Sequence, residues 1–194
     1  MVHLILYRFI ALIGFVLLLP VLSIMYIIVR LDSKGSFIFK QKRAGRGKKP
    51  FTLYKIRTMV SDAERLKTEV KRLNEADGPV FKIRHDPRYT RVGKFLSHSG
   101  LDELPQLMNV VKGDMSLVGP RPLPMNEAKL VPKRFQARFS VLPGMTSEWV
   151  VQGAHRLSFV KWMKLDMDYV RNHSLMKDAS IMFQTIVSLL KNIL

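Results

Sequence analysis

From Phe9 to Val29 the chain carries 21 consecutive residues without a charge. As an α-helix this run would extend roughly 32 Å, close to the ~30 Å hydrocarbon core of a bilayer. Arg8 precedes it and Arg30 follows it. The run is long for the apolar part of a signal peptide, and Arg30-Leu31-Asp32 is not a small-residue cleavage site. A single spanning helix is the plain reading. Pro20, near the middle, offers another: proline removes a backbone donor and clashes with the preceding turn. A helix broken at Pro20 could enter the bilayer and return to the same face, with the Ser23 hydroxyl as a partner for freed backbone. From Arg30 to Arg57 inclusive there are ten Lys/Arg and one acid, Asp32. Such a cluster belongs on the cytoplasmic side.

The basic excess continues through the chain. Lys and Arg total 32 against 15 Asp and Glu, a net charge of +17. An anionic partner follows: nucleic acid, anionic lipid headgroups or a phosphorylated substrate. The apolar fraction of 47% is unusual for a soluble nucleic-acid binder, and a nucleic-acid partner is not expected. The absence of cysteine excludes disulfides, thiolate zinc sites and a cysteine nucleophile. At 194 residues there is room for one domain, 31–194, behind the apolar segment 1–30.

Within that domain Ser36–Gln41 and Phe51–Thr58 read as short strands joined by the Gly- and Lys-rich turn 44–50. Ser61 to Asn74 reads as a helix with a Ser61/Glu64 capping box, ended by Asp77-Gly78-Pro79. Val80 to Arg91 is irregular. A helix is expected from Asp102 to Lys112, with Pro105 in its first turn and Gly113 just past its end. Met125–Ser140 mixes Lys and Arg with Phe135 and Phe139. That suits an interfacial amphipathic helix or, equally, an ordinary surface helix. Pro143-Gly144 reads as a turn, and Ser158–Asn172 and Lys177 to the end as helices. The fold class is α+β, mainly helical, with small β elements.

Asp102 and Glu103 form a carboxylate pair at a helix start. Ser99-x-x-Asp102 is a capping spacing, and acids in a first turn favour the helix dipole. The same pair can hold a metal or attack an electrophile. Arg121, in Gly119-Pro120-Arg121-Pro122, could pair with a surface acid or act as a rigid phosphate clamp. Lys55 and Arg57 could be a solvated strand face. Trp149 and Trp162 read as core or interface anchors. His3, His85, His98, His155 and His173 show no metal-ligand spacing, and no Walker loop, dinucleotide fingerprint or zinc motif is present.

A series of motifs runs in order along most of the chain: Arg30-Leu-Asp-Ser33, Phe39-Lys-Gln-Lys-Arg43, Pro50-Phe-Thr-Leu-Tyr-Lys-Ile-Arg-Thr-Met59, Leu101-Asp-Glu-Leu-Pro-Gln-Leu107, Asn109-Val-Val-Lys-Gly-Asp-Met-Ser116, Gly119-Pro-Arg-Pro122 and Leu165-Asp-Met-Asp-Tyr169. As a set they resemble the bacterial sugar transferases that act as monotopic polyprenyl-phosphate phosphoglycosyl transferases. The resemblance implies transfer of a sugar-1-phosphate from a UDP-sugar to polyprenyl (undecaprenyl) phosphate, releasing UMP. It implies Asp102 as a nucleophile that forms a covalent phosphosugar intermediate, Glu103 beside it, and Mg2+ held by both. Lys55, Arg57, Arg88, Pro120 and Arg121 are the expected phosphate and UDP-sugar contacts. Pro20 and Ser23 mark a re-entrant helix break that keeps the catalytic domain on the cytoplasmic face of the bacterial inner membrane.

Three segments depart from that pattern. Leu19 stands before Pro20 where the family has serine. Ser97-His98-Ser99-Gly100 precedes the dyad without an arginine, leaving Arg84, Arg88 or Arg91 to supply the contact. Met145-Thr-Ser-Glu148-Trp149 replaces the usual run after Pro143-Gly144. The rival readings are a non-enzymatic membrane-anchored basic protein and a transferase of this class with lost activity or a changed donor. The oligomeric state is left open, with a homodimer allowed.

Overall fold

The computed structural model describes residues 2–153 and 157–193, so Met1, His155 and Leu194 lie outside the described residues. The apolar segment forms one helix, α1 (Val2–Asp32), which passes through Pro20 without interruption. The expected break is therefore absent from the secondary structure. Proline removes only the one donor that would have reached Val16, and the ladder resumes around it. Ser23 does not satisfy that orphaned carbonyl. Its hydroxyl donates to Leu19 O at 2.9 Å, a back-bond that bends helices rather than breaking them.

α1 is not a free stalk. Tyr7, Ala11, Leu22 and Val29 on one face are buried against the rest of the protein. Near its start, the Tyr7 hydroxyl donates to Asp178 Oδ2 at 2.6 Å. The other oxygen of Asp178 accepts from Tyr169 at 2.9 Å. Near the far end, Val29 packs with Ile56 and Leu96, and Arg57 holds the segment beyond by donating to the carbonyls of Ser33 and Lys34. The opposite face leaves Ile5, Phe9, Val16, Leu17 and Ile24 exposed.

β1 (Ile38–Ala44) and β2 (Pro50–Ile56) form an antiparallel hairpin in which Phe39 lies opposite Lys55. The helix expected over 61–74 shrinks to α2 (Ala63–Leu66) and a 3-10 turn at Lys71–Leu73. Its capping box does not form: Asp62 is the N-cap, without a side-chain bond to the helix, and pairs with Arg65. α3 (Arg91–Ser99) was not evident in the sequence. It starts on a Thr90 cap and ends at Gly100, whose φ of 76° needs glycine.

The expected helix over 102–112 is split. Leu101–Glu103 is a 3-10 turn, and α4 (Gln106–Lys112) begins after Pro105, stopping at Gly113 as read. β3 (Ser116–Val118) and β4 (Gly144–Thr146) pair in parallel, so Gly144 opens a strand rather than a turn. A Cβ on Gly144 would collide with the Gly119 backbone, which explains both glycines.

The helix expected over 125–140, interfacial or ordinary surface, is corrected in either form. α5 (Met125–Lys129) stops short, Pro132 intervenes, and Lys133–Phe139 is 3-10. Phe135 and Phe139 point into a core with Trp149, Phe159, Trp162 and Met163. After α6 (Glu148–Val151) come α7 (Phe159–Asn172), capped by Ser158, and α8 (Leu175–Ile193). α8 leaves Phe183, Ile186 and Leu190 exposed, and α3 leaves Phe95 exposed.

Candidate active site

Gly100 turns the chain out of α3 so that Asp102 and Glu103 follow at once. Facing them is Lys55 on β2. Asn109, fully buried on α4, fixes this meeting. Its Oδ1 accepts the Tyr54 N–H at 3.1 Å and its Nδ2 donates to Thr52 O at 2.7 Å. One side chain thus staples the helix that follows the dyad to the strand carrying Lys55. Lys55 Nζ reaches Asp102 Oδ2 at 3.2 Å and Glu103 Oε1 at 2.7 Å.

Arg121 closes the cluster, its Nη2 donating to the same Glu103 oxygen at 3.0 Å. Four consecutive carbonyls hold its turn in place. Pro120 O accepts Gly144 N–H, Arg121 O accepts Arg138, Pro122 O accepts Arg43, and Leu123 O accepts Ala44 N–H, at 2.9–3.1 Å. Arg138 is itself sealed in an ion pair with Asp166 at 2.8 Å, with side-chain exposures of 1% and 2%. On its outer side the Arg121 guanidinium lies 5.4 Å from the Trp149 ring centroid.

The electrostatics separate the two acids. Burial raises the Asp102 carboxyl above the ordinary carboxylate value, and Lys55 offsets this only in part. Burial also raises Glu103, but Arg121 and Lys55 together outweigh it and hold Glu103 well below the usual range. Glu103 in turn raises Arg121. Glu103 is thus favoured as the anion, and Asp102, the more enclosed of the two, is the more basic. Such splitting of a carboxylate pair is typical of reactive sites.

Among the described residues, Asp102 Oδ1 and Glu103 Oε2 take part in no hydrogen bond. No group of three or more metal-binding side chains occurs among those residues. Two carboxylates with one open oxygen each still suit magnesium, which is commonly bound by one or two carboxylates together with substrate phosphates. The cluster is half-buried, with Asp102 the most enclosed of the four side chains. A cavity of about 560 Å³ lies elsewhere, between α6 and α8, lined by Glu148, Gln152, Lys177 and Ile181.

Of the residues singled out from the sequence, Lys55, Asp102, Glu103, Pro120 and Arg121 come together here. Two arginines do not. Arg88 is buried, with Nε and Nη2 on the two oxygens of Asp86 and Nη1 on Ala63 O, so its donors are spent within the fold. Arg57 is spent on the joint after α1. Arg84 and Arg91 are exposed. Sequence reading missed Asn109 and Arg138, whose roles depend on partners 55 and 28 residues away, and also Lys82 and Arg43. Trp149 and Trp162 are buried and stacked, with centroids 4.4 Å apart.

Comparison with known proteins agrees with the motif series. A family profile described as bacterial sugar transferase matches residues 1–192. The galactosyl transferase CpsE of Streptococcus agalactiae serotype III is 38% identical over 189 residues, 95% of this chain and 42% of that protein. The UDP-galactose-lipid carrier transferase of Erwinia amylovora is 41% identical over 179 residues, 90% of this chain and 37% of that protein. The exopolysaccharide production protein ExoY of Sinorhizobium fredii is 34% identical over 181 residues, 91% and 80% of the two chains. The chain thus spans less than half the length of the first two relatives. With the profile covering nearly every residue and the dyad, lysine and arginine of its motifs meeting at one place, this chain belongs to the bacterial sugar transferase family.

Proposed function

We propose that this protein transfers a sugar-1-phosphate from a UDP-sugar to polyprenyl phosphate at a membrane surface, the opening step of a lipid-linked surface glycan. The observation that carries the reading is the split carboxylate pair, Asp102 and Glu103, bracketed by Lys55 and Arg121. An Asp102 oxygen bonds to the sugar-linked phosphorus, and the bond from that phosphorus to the nucleotide's phosphate breaks, releasing UMP. A phosphate oxygen of the lipid acceptor then bonds to the same phosphorus and frees Asp102. Dividing the transfer in this way spares two bulky anions from meeting directly. Asp102 holds little solvation to shed, so it is a ready nucleophile. Lys55 occupies one of its oxygens and leaves the other for attack. Arg121 offers a planar fork to the phosphate oxygens. Mg2+ bound by Asp102 and Glu103 would supply neutralisation of the diphosphate charge.

A shallow membrane seat fits the packing of α1. Tyr7 and Val29, at opposite ends of the helix, both touch the same folded domain. A bilayer-crossing α1 would draw α4, with Lys112, into hydrocarbon. Lying along the domain, α1 can instead bury its exposed apolar face while both ends stay on the cytoplasmic side. The exposed Phe183, Ile186 and Leu190 of α8 add apolar surface.

Two experiments test the reading. A panel of UDP-sugars with polyprenyl phosphate and magnesium should release UMP, and UDP-sugar alone should leave a phosphosugar adduct on Asp102 by mass spectrometry. No turnover with any donor rejects it. For the seat, Val2→Cys and Lys34→Cys introduce unique thiols into a chain without cysteine. Labelling of both from the cytoplasm is expected, and labelling from opposite faces overturns the shallow placement.

A further inference from the structure

Arg121 has a second neighbourhood, on the side away from the dyad. Lys82 Nζ sits 4.6 Å from the centroid of the same Trp149 ring that Arg121 overlies. The two cations are therefore within about 10 Å of each other, over an indole backed by Trp162. Arg43 reaches the same turn through Pro122 O. Three buried polar atoms in this neighbourhood have no hydrogen-bond partner among the described residues: Lys82 Nζ, Arg43 Nε and Trp149 Nε1. All three are donors. Native folds rarely leave buried donors unpaired, and each such group calls for an acceptor.

The charges lean the same way. Burial and then Arg121 push Lys82 down to about 8, with Glu75 opposing. Burial and then Arg121 push Arg43 down to about 10. Glu127 is the nearby acid, but its Oε1 accepts the Phe81 N–H. Arg88 and Arg138, buried for structural reasons, each own a carboxylate. Lys82 and Arg43 have none in contact among the described residues.

We infer that Lys82 and Arg43, together with Arg121, form a subsite for the phosphate that departs with the nucleotide. The inference rests on the transfer reading above and assigns the leaving side of that reaction. Arg121 Nη2 reaches Glu103, next to the nucleophile, at 3.0 Å, while its guanidinium overlies the Trp149 ring that also carries Lys82. Arg121 thus stands between nucleophile and subsite. In an in-line displacement the leaving oxygen departs opposite the nucleophile. As the Asp102–phosphorus bond forms, the bridging oxygen keeps the electron pair of the breaking bond, and the nucleoside monophosphate gains one negative charge. The unpartnered donors lie where that charge appears. Trp149 is then a floor for two cations and, with Trp162 against it, not a stacking platform for the base.

The test uses the full chain in detergent and inorganic pyrophosphate as the probe, read by fluorescence of the stacked tryptophan pair. Lys82→Met should weaken pyrophosphate binding at least tenfold. The fold should survive, because an unpaired buried cation is removed rather than stranded; Lys82→Gln serves as the second variant. In single-turnover assays, adduct formation from UDP-sugar alone should slow at least tenfold, while transfer from preformed adduct to acceptor keeps its rate. Unchanged pyrophosphate affinity overturns the subsite. A slowed second half with an intact first half overturns the nucleotide assignment and gives the subsite to the lipid phosphate. Lys82-dependent pyrophosphate binding in a protein that releases UMP from no donor would sink the transfer reading and keep the anion subsite.

Discussion

Arg138 with Asp166, and Lys55 with Asp102, Glu103 and Arg121, are both clusters of charge at low exposure, yet they are built to opposite ends. In the first, one cation meets one anion, both sealed, and the Arg138 Nη2 that faces Asp166 also donates to Arg121 O. In the second, two cations share one oxygen of Glu103, and Asp102 and Glu103 each keep an oxygen free. Arg121 belongs to both: its carbonyl is held by the closed pair and its guanidinium serves the open one. Matched and sealed charge holds position. Unequal charge with spare valence is left for a ligand to complete.

The sharpest break between the two comes from Asp102→Asn. Turnover should fall by at least ~10³-fold, since a transition-state bond is removed. Thermal stability should hold or rise, because a poorly solvated charge disappears. Asp166→Ala should do the reverse, costing about 3–5 kcal/mol of stability by stranding Arg138. Calorimetry and UMP release on both variants test the contrast. Replacing the pair together, Arg138→Met with Asp166→Leu, should restore most of the melting temperature. Its kcat should nevertheless fall below that of wild type, because without Arg138 the Arg121 carbonyl has lost its hold. Full recovery of both would reduce the closed pair to simple filling.

Arg121→Lys should cost ~10–100-fold in kcat/KM, the charge surviving without the fork. Initial rates across pH probe the dyad itself. Burial first, and then Glu103, raise Asp102, so the acid limb of kcat/KM should lie above the ordinary carboxylate value of 3.8. A limb at or below that value would show that Lys55 outweighs burial. The smallest effect concerns Lys82, lowered from 10.5 to about 8 on folding. Between those values the unfolded chain binds the extra proton, so wild-type stability rises with pH across that window. The melting temperature of Lys82→Met should exceed that of wild type below pH 8, and the gap should close by pH 10.5.

Long patterns were readable. The uncharged run became α1, the amphipathic stretch after Ser158 became α7, and the strand pair around the glycine-rich turn became β1 and β2. Motif resemblance singled out Lys55, Asp102, Glu103 and Arg121, which the fold brings together. What failed was pairing. Arg88 carried charge suited to phosphate, yet Asp86 stood two residues before it and claims it. Phe135 and Phe139 looked like interface residues because nothing local reveals Trp149 and Trp162 waiting to cover them. Pro132 was a visible objection to a long helix there. β3 and β4 have three residues each, too few for a period. Lys82 is one of 32 basic residues, set apart by a buried Nζ without a partner among the described residues.

The Tyr7–Asp178–Tyr169 clasp ties the first helix to the last two across 171 residues. During synthesis α1 is made well before α8, so the helix exists before its clasp does. Closing so long a loop comes late in folding, since non-local contacts repay their entropy only when both ends are present. A chain that stops before Asp178 can still pack Val29 of α1 against Ile56 and Leu96, but leaves Tyr7 at the other end unclaimed. Full docking of α1 therefore waits on the synthesis of α8, and the distance between Tyr7 and Asp178 in sequence sets the order in which the two ends of the helix are secured.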